Sequence, residues 1–100
     1  MKFIARGKGV FNTIIVDDDV CIETCRCNTT LEIVPLRTGL ISVYGSMAEV
    51  KPKCHKLMTN ILDSVPSVLL TPIELSGFKW LKVVILSGKH SITISTGSEK

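Results

Sequence analysis

The sequence predicts a mainly β protein: an antiparallel two-layer β-sandwich of jelly-roll-like form, with one short helix over 52–64 competing against an extended loop. Three observations carry this expectation. Runs rich in Val, Ile and Thr recur from Val10 to Tyr44, and turn formers separate them at the spacing of an antiparallel meander. Ser91-Ile92-Thr93-Ile94-Ser95 alternates, which puts Ile92 and Ile94 on one face of a strand. The length of 100 residues, 45% hydrophobic and 21% charged, suits a single core and one domain over 1–100. No linker, repeat or low-complexity tract divides the chain, so neither disorder nor a two-domain enzyme fits.

Taken in order, Phe11 to Val16 is apolar and β-branched, Asp17-Asp18-Asp19 is a polar break, and Val20 to Cys27 resumes in alternation. This predicts a hairpin with a three-residue acidic loop. Leu31 to Leu36 and Leu40 to Tyr44 flank Arg37-Thr38-Gly39 and predict a second hairpin, with Pro35 at an edge or a bulge. Between Ala48 and Ser64 the pattern changes. Leu57, Met58, Ile61, Leu62 and Val65 recur at the spacing of a helix face, with Pro52 tolerated near its start and Pro66 ending it. Thr71-Pro72-Ile73-Glu74 has the form of a helix cap, yet Gly77 interrupts any helix and Trp80 to Leu86 is dense in β-branched and aromatic residues. A strand from Phe78 to Leu86, turned at Ser87-Gly88-Lys89-His90 and paired with Ser91 to Thr96, accounts for both halves.

The formal charge of +3 is mild, and only Arg6, Arg26 and Arg37 offer the bidentate fork suited to phosphates and bases. Charge at Lys2, Arg6 and Lys8 interrupts the apolar residues of the N-terminus, so no signal peptide is expected. The longest unbroken apolar run, Val83 to Leu86, is far short of the roughly 20 residues of a membrane-spanning helix. No membrane partner is expected, and the four cysteines are expected as reduced thiols.

Cys21, Cys25 and Cys27 fall on one face of the predicted strand with Glu23, and Cys54 or His55 would complete a tetrahedral zinc set. A straight strand puts Cys21 and Cys25 about 13 Å apart, too far to share an ion, so free thiols are preferred over metal at Cys21, Cys25, Cys27 and Cys54. Cys54 and His55 are adjacent in sequence, which is not the spatial pairing that activates a nucleophile. The aspartate triplet lacks the glycine-spaced frame of a calcium loop. Gly7-Lys8-Gly9 and Ser87-Gly88-Lys89 lack the remaining residues of a phosphate loop. No cofactor and no enzymatic activity are expected. The residues singled out for packing and interaction are Phe78 and Trp80, as two large rings on one strand face, and Lys79 and Lys82 between and beyond them.

The segment Pro72-Ile73-Glu74-Leu75-Ser76-Gly77-Phe78-Lys79-Trp80-Leu81-Lys82-Val83-Val84 resembles a pattern of small β-sandwich accessory proteins of tailed bacteriophages, and is similar to the last strands of galactose-binding-like jelly rolls. The resemblance implies that Gly77 bends into the strand, Phe78 and Trp80 pack inward, Lys79 and Lys82 are polar decoration, and Ile92 and Ile94 lie on the partner strand. It further implies a non-enzymatic virion protein made in the host cytoplasm, a capsid decoration, tail or head-to-tail component. Its partners would be other virion proteins or copies of itself. The alternative is a small regulatory or inhibitory protein that binds nucleic acid or a host factor through Lys51, Lys53, Lys56, Lys79 and Lys82.

Overall fold

The computed structural model describes residues 2–5, 11–24, 29–69 and 72–96. These residues form strands β1 (Lys2–Ala5), β2 (Phe11–Val16), β3 (Val20–Glu23), β4 (Thr29–Arg37), β5 (Leu40–Ser46), β6 (Thr59–Pro66), β7 (Ile73–Leu75), β8 (Trp80–Ile85) and β9 (Lys89–Thr96). Single 3₁₀ turns lie at His55–Leu57 and Ser67–Leu69. One sheet has the order β1-β3-β8-β5-β6 and the other β2-β9-β4-β7. Among the described residues every pairing is antiparallel except that of β1 on β3. From β2 to β9 the chain changes sheet at every step but one, β5 to β6. With β2-β9-β4-β7 facing β3-β8-β5-β6 and β1 appended at an edge, this is the strand order of a jelly-roll sandwich.

That order corrects the local pairings. None of the three expected hairpins forms, because β2 and β3, β4 and β5, and β8 and β9 lie in opposite sheets. A three-residue segment spans about 10 Å when extended, which is also about the distance between packed sheets. The same polar break therefore serves an arch between layers as well as a turn within one. The Asn-Gly or Asp-Gly pair that would single out a tight hairpin is absent from all three breaks.

The arches interlock at one end of the sandwich. The Leu86 and Ser87 N–H groups donate to the Leu40 carbonyl at 2.9 and 3.2 Å, and the Leu40 N–H donates to Ser87 Oγ at 2.9 Å. Buried Ser67 joins them: its N–H donates to the Gly39 carbonyl at 2.9 Å and its Oγ accepts from the Gly39 N–H at 3.2 Å. The approach is so close that a Cβ at Gly39 would fall on the Ser87 carbonyl, and one at Gly88 on the Arg37 carbonyl. The acidic loop is tied in as well, since Asp19 accepts the Ile85 N–H at 3.0 Å. Asp19 thus anchors this loop to the end of β8.

Alternation decides the core. Val20, Ile22, Ile41, Val43, Leu81 and Val83 from the five-stranded sheet meet Val16, Leu31, Ile33, Ile92 and Ile94 from the other. The fully buried cluster is wholly aliphatic, and each such side chain contributes about 1.5–3 kcal/mol on burial. The expected pair of inward rings is divided. Phe78, just before β8, lies half-buried on the inner side, where a Cβ on Gly45 would come within 2.7 Å of its ring. Trp80 is buried but belongs to no part of that cluster, because it alternates with inward Leu81 and so takes the outer face.

The expected helix over 52–64 is replaced by the 3₁₀ turn at His55–Leu57 and by β6. The cause of the misreading is a doubly bulged strand. Val43 pairs with Leu62 and Tyr44 with Asn60, while Ile41 pairs with Val65, so β6 carries extra residues on both sides of Leu62. Ile61, Leu62 and Val65 consequently all reach the core, at a spacing that mimics a helix face. Ser64, inside the second bulge, has φ +50° and donates its N–H to Ser42 Oγ at 2.8 Å. Pro35 lies at the shift of register between β4 and β9, where its missing N–H is tolerated.

Gly77 and Gly88 share a φ of +89°, but space at Gly77 is open while Gly88 is locked between arches. Gly77→Ala is expected to cost about 1–2 kcal/mol, the backbone penalty alone. Gly88→Ala is expected to cost a further 1–3 kcal/mol or so from overpacking. Urea midpoints at constant slope measure the difference, and equal costs for the two would refute the interlock.

Candidate functional site

Because Val20, Ile22, Leu81 and Val83 face inward, Cys21 on β3 and Lys82 on β8 are presented on the outer face of the five-stranded sheet, as neighbours in register. The connection from β5 to β6 folds back over this face. It contains the 3₁₀ turn, in which the Leu57 and Met58 N–H groups donate to the Cys54 and His55 carbonyls at 3.1 and 3.0 Å. His55 packs on Tyr44 of β5, with ring centroids 4.7 Å apart and planes tilted by 40°. Between loop and sheet lies a cleft of about 70 Å³ lined by Cys21, Lys51, Pro52, Lys53, Cys54, Met58 and Lys82.

Burial here changes the expected roles. Lys82, taken from the sequence as polar decoration, is only 8% exposed and forms part of the cleft wall. Lys79 is not free decoration either: its Nζ lies 2.9 Å from Glu23 Oε2. The same strand ends are joined through the backbone, the Thr24 N–H donating to the Lys79 carbonyl at 2.8 Å and the Lys79 N–H to that of Ser46 at 2.8 Å. The Thr24 hydroxyl donates to the Phe78 carbonyl. Burial pushes the Cys21 thiol above its ordinary pKa; Lys51 and Lys82 oppose this and Glu23 adds to it. The thiol is therefore neutral at physiological pH and does not offset the lysines.

Of the four cysteines weighed as metal ligands, Cys25 and Cys27 lie outside the described residues. Cys21, buried, and Cys54, exposed, are free thiols that share the cleft. Among the described residues no three His, Cys, Asp or Glu side chains are grouped to hold a metal ion. His55 is turned to Tyr44 and does not join Cys21. Of the five lysines proposed for nucleic acid, Lys51, Lys53 and Lys82 converge on the cleft, while Lys79 is paired and Lys56 is exposed on the turn. Pro52 and Met58 complete the wall; the sequence marks them only as positions of the expected helix. Their role follows from the fold of the loop across β3 and β8.

A second titratable group is buried elsewhere. His90 shares the inner face of β9 with Ile92 and Ile94, in register with Val16 on one side and Pro35 on the other. It is fully buried, and among the described residues neither ring nitrogen has a hydrogen-bond partner. Burial lowers its pKa from the ordinary 6.5. The unfolded chain then takes up a proton near pH 6.5 that the folded chain refuses until lower pH, so stability falls with pH through that window.

Two outcomes follow from these environments. Alkylation by iodoacetamide at pH 8, mapped by peptide mass spectrometry, is expected to modify Cys54 at least tenfold faster than Cys21; equal rates would contradict the closed loop. Urea midpoints are expected to fall between pH 7.5 and 5.5, and His90→Leu is expected to flatten that fall, since it removes the imidazole and leaves the face apolar. An unchanged pH profile in the variant would remove His90 as the cause.

No helix among the described residues is long and apolar enough to cross a membrane. No protein-family model matches the chain, and no curated protein does. Among solved structures the chain is similar to the Yersinia pseudotuberculosis-derived mitogen at 12% identity and a TM-score of 0.49, over 91% of this chain and 87% of that one. A likeness at this level bears on neither ligand nor partner.

Proposed function

We propose that this chain is a non-enzymatic accessory subunit of a bacteriophage particle, which works by docking an aliphatic end of its sandwich against neighbouring subunits. The observation that carries the docking is that six of the nine exposed large apolar residues among the described ones lie on this face and its arches, the other three, Met47, Val50 and Leu57, being in the β5–β6 connection. Ile15 on β2 and Val34 on β4 flank Ser91 on the outer face of the four-stranded sheet, and they are 57% and 47% exposed. Leu36 continues β4 toward the arches, where Leu40 and Leu86 are joined by a backbone hydrogen bond and Val68 follows Ser67 in the second 3₁₀ turn. All four of these are also exposed. Scattered apolar residues need no explanation, but an aliphatic patch on a face and its adjoining loops is the surface that a protein partner covers.

The virion context rests on the resemblance of residues 72–84, in which Gly77 does provide the bend ahead of β8. The alternative of a lysine-rich face for nucleic acid has less behind it. Its five lysines do not form one track, since Lys79 is engaged by Glu23.

Light scattering during size-exclusion chromatography, followed by co-sedimentation with phage capsids or tails, tests the proposal. Self-association or binding to particles is expected, with at least a tenfold loss in Val34→Lys/Leu36→Lys. Both positions are exposed, so the double variant is expected to keep its fold within about 1 kcal/mol. A strict monomer that binds no virion component would overturn the proposal.

A further inference from the structure

We propose that Cys21 and Cys54 are a redox-responsive pair, which a low-molecular-weight disulfide of the glutathione type oxidises to an internal disulfide that fastens the β5–β6 connection to the outer face of the five-stranded sheet.

The placement of the two sulfurs is the main argument. Cys21, Lys82, Tyr44 and Asn60 form one row in register across β3, β8, β5 and β6. Strand spacing puts Cys21 about 10 Å from Tyr44 along that row. His55 packs on Tyr44 with ring centroids 4.7 Å apart, which sets Cys54, its neighbour in sequence, beside the same row. Lys51, Pro52, Lys53 and Cys54, which precede His55, all line the cleft together with Cys21. Residues more than thirty positions apart in the chain thus bring two free thiols to one space of about 70 Å³. Such a space holds only a few water molecules. A small approach of the connection closes it and brings the Cα atoms to the roughly 4.4–6.8 Å that a disulfide needs. The connection is built for that approach, since no residue from Met47 to Met58 is buried.

The two thiols differ as a stepwise exchange requires. Cys54 is exposed and takes the first step. Its thiolate attacks one sulfur of the added disulfide, that S–S bond breaks, and one glutathione thiolate leaves. Cys21 is buried and screened from a bulky reagent, yet it shares the cleft with the mixed disulfide so formed. Its thiolate attacks the Cys54 sulfur and expels the second glutathione. The protein thiols give up two electrons and two protons, and the added disulfide takes them up as two thiols. Burial holds the proton on Cys21, against Lys51 and Lys82, so the second step is the slower one.

The experiment incubates the folded chain at pH 8 with oxidised and reduced glutathione at about 1 mM and maps the products by non-reducing peptide mass spectrometry. Cys21 and Cys25 lie together between Lys8 and Arg26, so Cys25→Ser/Cys27→Ser is run beside the unaltered chain to fix the partner. The expected product is a monomer with Cys21 linked to Cys54, exceeding the mixed disulfide at least tenfold, because a tethered thiol outcompetes one at that concentration. In urea, where the cleft is lost, this excess is expected to fall at least tenfold. Cys21→Ala is expected to stop at the mixed disulfide on Cys54. Cys54→Ser changes an exposed position and keeps the test decisive if Cys21→Ala fails to fold; Cys21 is then expected to stay reduced. A mixed disulfide that persists at Cys54 in the Cys25→Ser/Cys27→Ser chain would overturn the proposal. So would a Cys54-to-Cys54 dimer as the main product, an equal excess in urea, or equal oxidation of Cys21 in Cys54→Ser. None of these results bears on the particle-docking test.

Discussion

The constraint on which the rest depends is the crossing of the gap between two sheets by very short loops, three of which, β2–β3, β4–β5 and β8–β9, gather at one end. Each crossing exposes backbone groups that the sheets cannot satisfy, and here the loops satisfy one another: Leu40 with Leu86 and Ser87, Gly39 with Ser67, and Asp19 with Ile85. Once those crossings are fixed, the alternation of each strand determines which side chains meet in the aliphatic core and which are left outside. The exposed Val34 and Leu36, the buried His90 and the outward Lys82 are all consequences of that one arrangement.

Much of the local structure was legible in the sequence. The strand character of 11–16, 31–36, 40–44 and 91–96 follows from β-branched residues in alternation, and the sandwich class follows from several such segments in one short chain. Pairing was not legible, because a polar break such as Asp17-Asp18-Asp19 has the length for either a turn or an arch. β6 was misread for a different reason. Two bulges convert the period of a strand into one that resembles a helix, and the bulges depend on partners in β5 that β6's own residues do not reveal.

The cleft divides in the same way. Lysines at 51, 53 and 82 and cysteines at 21 and 54 were visible as residues, and a meeting of Cys54 with Cys21 was weighed only within a metal set that the strand spacing disfavours. What brings them together is the β5–β6 loop, folded flat on β3 and β8 through the contact of His55 with Tyr44. That contact joins residues from a strand and a loop and leaves no periodic trace. The inward-facing pair of Phe78 and Trp80 failed on one residue's worth of irregularity, since β8 begins at Trp80 and not at Phe78.

The bulges of β6 have a further consequence for how copies of this molecule can meet. An outermost strand with an even ladder invites another chain to extend the sheet without limit, which ends in fibres. With two interruptions and a left-handed serine, β6 offers no such template, and on the opposite layer β7 is only three residues long. Growth by strand addition is thereby discouraged along both of these borders, which leaves side chains to make any lasting contact there.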